Sequence, residues 1–266
     1  MDDFGKAQVE QLREDGYVMV KNLFSEKECA GLKKILLDEI NKGKEAFKKS
    51  PIKPKNEINS NRVADVPRAL HNGLFQDIAH RNSEFMSLAK DQRLINILSK
   101  IYGDSIKGFH MYLSSSIFKN FEVTNPTEWH IDMPYWKGTT NKTVVWIPLN
   151  KVTKENGCLK YIARSHNKNY VLEDSEHVGM YKKGYINPNR IDESDEVFVE
   201  LEIGDVAFHH CNIVHGSEEN TLKKERYAII FVYQPGSDTS NHRDGPGVPI
   251  LKDIWLDKGL NNFRFT

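Results

Sequence analysis

The sequence predicts a mainly β protein with flanking helices, a double-stranded β-helix or jelly roll packed by helices that precede it in the chain. Three observations carry that expectation. Amphipathic helical patterns come first, up to Tyr102, and strand-like runs dominate from Phe109 onward. Those runs are short, apolar or alternating, and separated by turn residues, as antiparallel sheets require. The chain has 266 residues, 39% of them hydrophobic, which is enough for one substantial core, so a single domain over 1–266 is expected.

Taken in order, Ser25-Glu26-Lys27-Glu28 has the spacing of a capping box, in which a hydroxyl and a carboxylate three residues on each satisfy a free backbone N–H. Cys29, Leu32, Ile35, Leu36 and Ile40 then recur at helical spacing, and Gly43 is expected to close the helix. The stretch 48–61, with Pro51 and Pro54 among lysines and asparagines, reads as a loop that orders when ligand binds. Over 82–102, Phe85, Leu88, Leu94, Ile97, Leu98 and Ile101 make a second apolar helical stripe, ended by Gly103. Strands are expected at 109–118, 143–149, 158–163, 197–202, 206–209 and 227–233. The excursion 166–196, with Gly179, Gly184 and Pro188, is too polar for core and too long for an ordinary connection, so it reads as a lid or substrate loop, or else a surface insertion.

Composition narrows the function classes. Lys+Arg and Asp+Glu are both 37, and a chain of zero formal charge has no strong field to recruit nucleic acid or an anionic membrane. A small-molecule substrate is the expected partner. Cys29, Cys158 and Cys211 are odd in number and scattered, which suggests neither a disulfide framework nor a zinc ribbon. With a polar N-terminus and no run of membrane-spanning length, the expectation is a reduced, cytoplasmic protein.

The chemistry concentrates in His130-Ile131-Asp132, followed much later by His215 and Arg226. Two imidazoles and one carboxylate are the ligand set that leaves three adjacent positions open on a non-haem ferrous ion. If 128–132 is a strand, its period of two puts His130 and Asp132 on one face, and Trp129 and Ile131 on the other. His209 and His210 compete with His215 as third ligand. His215 is preferred because Ser217 follows one alternation later and Arg226 opens an apolar strand. A guanidinium there is costly to bury alone, and a planar carboxylate is its best partner.

These residues resemble the phytanoyl-CoA dioxygenase family of Fe(II)- and 2-oxoglutarate-dependent oxygenases. The likeness begins with 14–25 as an opening strand and helix entry, continues through Trp129-His130-Ile131-Asp132, Val145-Trp146-Ile147-Pro148-Leu149 and the Asn156-Gly157 turn, and runs from Gly204-Asp205 to Arg226. It covers about 14–233. The resemblance implies that His130, Asp132 and His215 hold iron, and that Arg226 and Ser217 bind the distal carboxylate of 2-oxoglutarate. Trp146 matches a position lining the co-substrate pocket, core being its alternative role. Thr127 sits where relatives contact the keto-acid end, although after Asn125-Pro126 a turn role is equally open. Arg62 or Arg68 could supply a further basic group. Tyr135 and Trp136, in a loop after Pro134, are candidates for the substrate wall, while Trp129 belongs to the core by parity.

Two departures bear on chemistry. Many relatives have Pro-Gly-Ser-His where this chain has Ala163-Arg164-Ser165-His166, so Arg164 is expected to bring positive charge to the pocket mouth and hints at an anionic substrate. Asp132 is present where related halogenases carry a small residue, which makes hydroxylation of an unactivated C–H bond, with release of succinate and CO2, the expected outcome. Two other readings remain: a non-redox, cupin-like metal protein or isomerase, and an inactive binding protein on the same fold. Retention of metal and binding of 2-oxoglutarate separate them.

Overall fold

Helices lead the chain, as the apolar spacing requires. In a computed structural model, which describes residues 4–49, 73–103, 108–173, 184–240 and 248–251, helix α1 spans Lys6–Asp15 and strand β1 spans Tyr17–Val20. The sequence did not announce α1, because it buries only Val9 and Leu12, too few apolar positions for a readable stripe. Gly16 ends it at φ 85°, donating its N–H to Leu12 O at 3.0 Å.

Helix α2, Glu26–Lys49, opens with the expected capping box: Ser25 N donates to Glu28 Oε2 at 2.7 Å, and Glu28 N donates to Ser25 Oγ at 3.2 Å. It does not stop at Gly43. One interior glycine costs only about 1 kcal/mol, and the helix formers Lys42, Lys44 and Glu45 carry the helix through. A short helix α3 (Ile78–Arg81) precedes the second helical zone, and the zone itself is divided rather than continuous, into α4 (Ser83–Ala89) and α5 (Gln92–Tyr102). Side-chain caps make the breaks: Asn82 Oδ1 accepts from Glu84 N at 3.0 Å, and Asp91 Oδ1 from Arg93 N at 2.9 Å. The loop expected from residue 48 onward lies, past Lys49, outside the described residues, as do Arg62 and Arg68.

The remaining strands are β2 (Leu74–Gln76), β3 (Gly108–Lys119), β4 (Thr127–His130), β5 (Thr143–Pro148), β6 (Leu159–Ile162), β7 (Glu196–Val199), β8 (Val206–His210), β9 (His215–Ser217), β10 (Arg226–Pro235) and β11 (Val248–Leu251). Among the described residues they form two antiparallel sheets. The larger has the order β1-β8-β5-β10-β3-β11 with β2 on β3, and the smaller has the order β4-β9-β6-β7. Strand alternation explains the layering. Val145, Ile147, Phe208, Ile229 and Phe231 pack with the helices on one face of the large sheet. Trp146, Ala207 and Ala228 face the other way, onto Leu159, Tyr161 and Val199 of the small sheet. The result is the jelly-roll core with its helices outside.

Two features place the strands that bear the site. Gly204, at φ 95°, lies so close to Phe24 that an added Cβ would sit 2.1 Å from Phe24 O, so only glycine fits the turn into β8. Next to it, buried Asp205 accepts from Lys21 Nζ at 2.8 Å and Asn22 N at 2.9 Å, fastening β1 to β8. The excursion 166–196 also differs from expectation. Ile131 N donates to Gly184 O at 3.1 Å and Ile186 N to Trp129 O at 2.9 Å, so 184–186 runs along β4. Ile186 is fully buried with Trp129, Ile162 and Val214, which makes this part core rather than lid. Residues 174–183 lie outside the described residues. No helix among the described residues is long and apolar enough to cross a membrane.

Candidate metal centre

His130 and His215 face each other directly across the β4–β9 pair, with Thr127 opposite Ser217. Their rings lie 4.1 Å apart between centroids. Each ring is oriented the same way: Nδ1 hydrogen-bonds a backbone carbonyl two residues upstream, Glu128 O at 2.7 Å for His130 and Ile213 O at 3.0 Å for His215. A ring whose Nδ1–H is donated in this way keeps its Nε2 lone pair for a metal. Both Nε2 atoms face Asp132, at 3.9 Å from Oδ1 for His130 and 3.9 Å from Oδ2 for His215. One donor atom from each of the three residues lies within 4.8 Å of the others.

Asp132 does not reach this point by strand parity. β4 ends at His130, and Asp132 has φ -81° and ψ -32° at the start of a 3-10 turn over Met133–Tyr135. Its N–H donates to Cys211 O at 3.2 Å, which fixes the turn against the segment after β8. The parity argument holds for Trp129, which is buried in the core with Lys160 Nζ 4.3 Å from its ring.

Burial governs the protonation of the cluster. Desolvation, then the neighbouring His215, push the His130 pKa well below its ordinary value, so the ring is neutral as a metal ligand must be. Burial raises the Asp132 carboxyl, with His215 opposing it. Two imidazoles with their Nδ1 atoms held by backbone carbonyls, and a carboxylate that gains from a nearby cation, are a donor set that fits a ferrous ion.

Of the rival histidines, His209 lines the same cavity, its ring 5.3 Å from that of His215, with Nδ1 2.8 Å from Tyr161 OH. His210 points away and lies 5.3 Å from His166 between ring centroids. Neither joins the convergent set.

The triad opens on a cavity of about 210 Å³. Arg226, Ser217, Thr127 and Trp146 line it, as do Tyr135 and Trp136. Arg226 is fully buried, 5.5 Å from the Trp146 ring, and Ser217 Oγ donates to Thr127 Oγ1 at 2.8 Å. Lys119, opposite Arg226 on β3 and also buried, has its pKa lowered to about 7, by desolvation first and then by the Arg226 charge. Trp146 Nε1 is buried without a hydrogen-bond partner among the described residues. Tyr135 OH accepts from Gly184 N at 2.7 Å, and Trp136 packs at 5.7 Å on Tyr112.

Arg164 is not brought to this cavity. It is exposed and pairs with Asp195 and, at 3.8 Å, with Asp15, so the charge expected at the pocket mouth is spent on the surface. The sequence reading also missed a wall: Leu113, Ser115 and Ile117 of β3 all line the cavity. Their period of two was visible, but which face of β3 turns inward was not.

A model of the phytanoyl-CoA dioxygenase (PhyH) family matches residues 12–228. The chain belongs to that family. It is 24% identical to a phytanoyl-CoA dioxygenase domain-containing protein 1 homolog of Dictyostelium discoideum, over 94% of this chain and 95% of that one. Among solved structures it is similar to the non-heme alpha ketoglutarate dependent carbocyclase SnoK from nogalamycin biosynthesis, with TM-score 0.66, 22% identity and coverage of 95% and 96%. It is also similar to EctD from S. alaskensis, solved with 2-oxoglutarate and 5-hydroxyectoine, with TM-score 0.66, 20% identity and coverage of 91% and 80%. These structures share the jelly-roll fold. Within this phytanoyl-CoA dioxygenase family member, Arg164 has φ 63°, a left-handed conformation that glycine adopts freely. The resemblance implies a Pro-Gly-Ser-His pattern with glycine at this place, whereas here an arginine paired with Asp15 and Asp195 occupies it.

Proposed function

We propose that this protein is an Fe(II)- and 2-oxoglutarate-dependent dioxygenase that hydroxylates an unactivated C–H bond of a small molecule. The observation that carries the reading is the convergence of His130, Asp132 and His215 on one wall of a cavity that holds buried Arg226 toward its far end. His130, Asp132 and His215 would hold the iron. Arg226 would pair with the distal carboxylate of 2-oxoglutarate, Ser217 would donate to it once released from Thr127, and the Trp146 indole N–H would offer a further donor. When bound, the metal and 2-oxoglutarate supply the oxidising chemistry, consuming dioxygen and releasing succinate and CO2 while one oxygen atom goes to the substrate.

The chain's own part is placement. Backbone carbonyls fix both imidazoles, and Leu113, Val144, Ile230 and Trp136 make an apolar wall that keeps water from the reacting carbon. The presence of 5-hydroxyectoine beside 2-oxoglutarate in the EctD structure supports hydroxylation as the outcome, whereas the carbocyclase SnoK is an example of other chemistry on a similar fold. A reducing, cytoplasmic location fits the three buried, unpaired cysteines.

Anaerobic addition of Fe(II) and 2-oxoglutarate tests the reading. The expected result is a visible charge-transfer band of the chelated keto acid, absent in His130→Ala and weakened in Arg226→Ala. Metal-replete protein without the band would favour the non-redox cupin-like reading.

A further inference from the structure

We propose that His209 is a specificity-determining substrate contact, its Nε2–H donating to a carbonyl or hydroxyl oxygen of an otherwise neutral, apolar molecule. The proposal rests on the oxygenase reading for the assignment of Arg226 to 2-oxoglutarate; the geometry of His209 itself is independent of it.

His209 is 2% exposed and lines the cavity, and its Nε2 has no hydrogen-bond partner among the described residues. Its other nitrogen is 2.8 Å from Tyr161 OH, deep in the core. Two arrangements of that bond are possible. If Nδ1–H donated to Tyr161, the buried phenol hydrogen would lack an acceptor and Nε2 would present a bare lone pair. If Tyr161 donates to Nδ1, the phenol is satisfied and the ring proton sits on Nε2, aimed at the cavity. A buried donor left unmet costs about 1–3 kcal/mol, which favours the second arrangement and makes His209 a fixed donor.

Strand register decides what that donor meets. His209 lies opposite Val144 on β5, which in turn lies opposite Val232 on β10. Along β10 this row is six positions from Arg226, roughly 20 Å of strand, which sets His209 beside the triad, its ring 5.3 Å from that of His215, and away from the backbone that carries the guanidinium. Val144 belongs instead to the apolar group that includes Leu113, Ile230 and Trp136. With that apolar group beside it in the cavity, His209 is assigned to the substrate rather than to the carboxylate held by Arg226. Among the described lining residues, Asp132 and Arg226 carry the formal charges and both are committed, while Gln76, Ser115 and the apolar wall are neutral. This replaces the anionic substrate that Arg164 had suggested. Tyr161 acts as a positioning residue, setting the tautomer.

The test uses two compact probes of nearly equal shape, cyclohexanone and methylenecyclohexane, which differ in the acceptor oxygen. Binding is followed by tryptophan fluorescence of the full chain, metal-free and loaded anaerobically with Fe(II) and 2-oxoglutarate. Wild type should bind the ketone about fivefold to tenfold more tightly, the worth of one hydrogen bond. His209→Phe should erase the preference and leave 2-oxoglutarate affinity within about twofold. His209→Asn, which keeps an N–H, should restore part of it, and Tyr161→Phe should narrow it. The proposal is overturned by a preference that survives His209→Phe, by equal or no binding of the probes in wild type, or by a loss of 2-oxoglutarate affinity above about tenfold in His209→Phe. If the keto-acid band is missing from wild type, the oxygenase reading fails, while the metal-free fluorescence arm still judges His209.

Discussion

At the metal end of the cavity, His130 and His215 face each other across strands of only four and three residues, and Asp132 sits in a turn beyond the strand. At the other end Arg226 opens a ten-residue strand paired on both sides, by β3 and β5. The difference follows from what each end must do. A metal demands directional donors, and short irregular segments tethered by backbone bonds can aim three side chains at one point. A carboxylate demands a rigid buried charge, and the centre of a large sheet supplies burial and stiffness without fine aim.

The comparison can be broken most sharply at the metal end. Asp132→Ala should lower Fe(II) affinity by more than about 100-fold, since even outer partners of ligands are worth 10–100-fold. Anaerobic titration measures it, and retention of wild-type affinity would remove Asp132 from the ligand set. At the far end, Arg226→Ala should weaken 2-oxoglutarate by about 100-fold while Fe(II) binding persists, the loss expected when one partner of a buried charge pair is removed. Calorimetry on iron-loaded protein reads the split, and a parallel loss of iron would mean that the two ends are not separable.

The scaffold beneath both ends has its own sensitivity. Burial, then the neighbouring His166, lower the His210 pKa to about 4, and burial lowers that of His166 as well. Folded values below the unfolded ones mean that the unfolded chain takes up protons first. Their contribution is therefore fully present above the ordinary histidine pKa and is lost as the pH falls toward 4, by about 3 kcal/mol for His210. Denaturant midpoints from pH 7 to 4 check the sign, and His210→Gln should flatten the curve.

Smaller effects sharpen the picture. Ser217→Ala should reduce 2-oxoglutarate affinity about tenfold, the value of one hydrogen bond to a charged group, with no change in Fe(II) binding. Arg164→Gly trades two surface ion pairs for a relaxed left-handed residue, so stability should shift by less than about 1 kcal/mol and 2-oxoglutarate binding not at all. A marked loss of binding would return Arg164 to the pocket.

Much of this was readable without coordinates. The capping box at Ser25, the strand runs and the glycine before Asp205 are local signals, each depending on residues a few positions apart. Arg226 was readable because a charge leading an apolar strand is anomalous by itself. The helix α1 was not, having only two buried apolar residues, nor was the end of α2, where a tolerated glycine resembles a stop signal. Asp132 was placed for an inexact reason: the residue types were legible, but whether the chain stays extended past His130 depends on the bond to Cys211, far away in sequence.

The sequence by itself determined the alternation that makes two sheets, the identity of the triad residues and the presence of one anomalous arginine, because side-chain chemistry and strand period are local properties. Tertiary structure alone decided which face of β3 lines the cavity, that Arg164 is held at the surface by Asp15 and Asp195, and that Tyr161 meets Nδ1 of a cavity-lining His209. Those outcomes depend on contacts between segments far apart in the chain, and burial, which sets their energetics, exists only once the sheets have closed on each other.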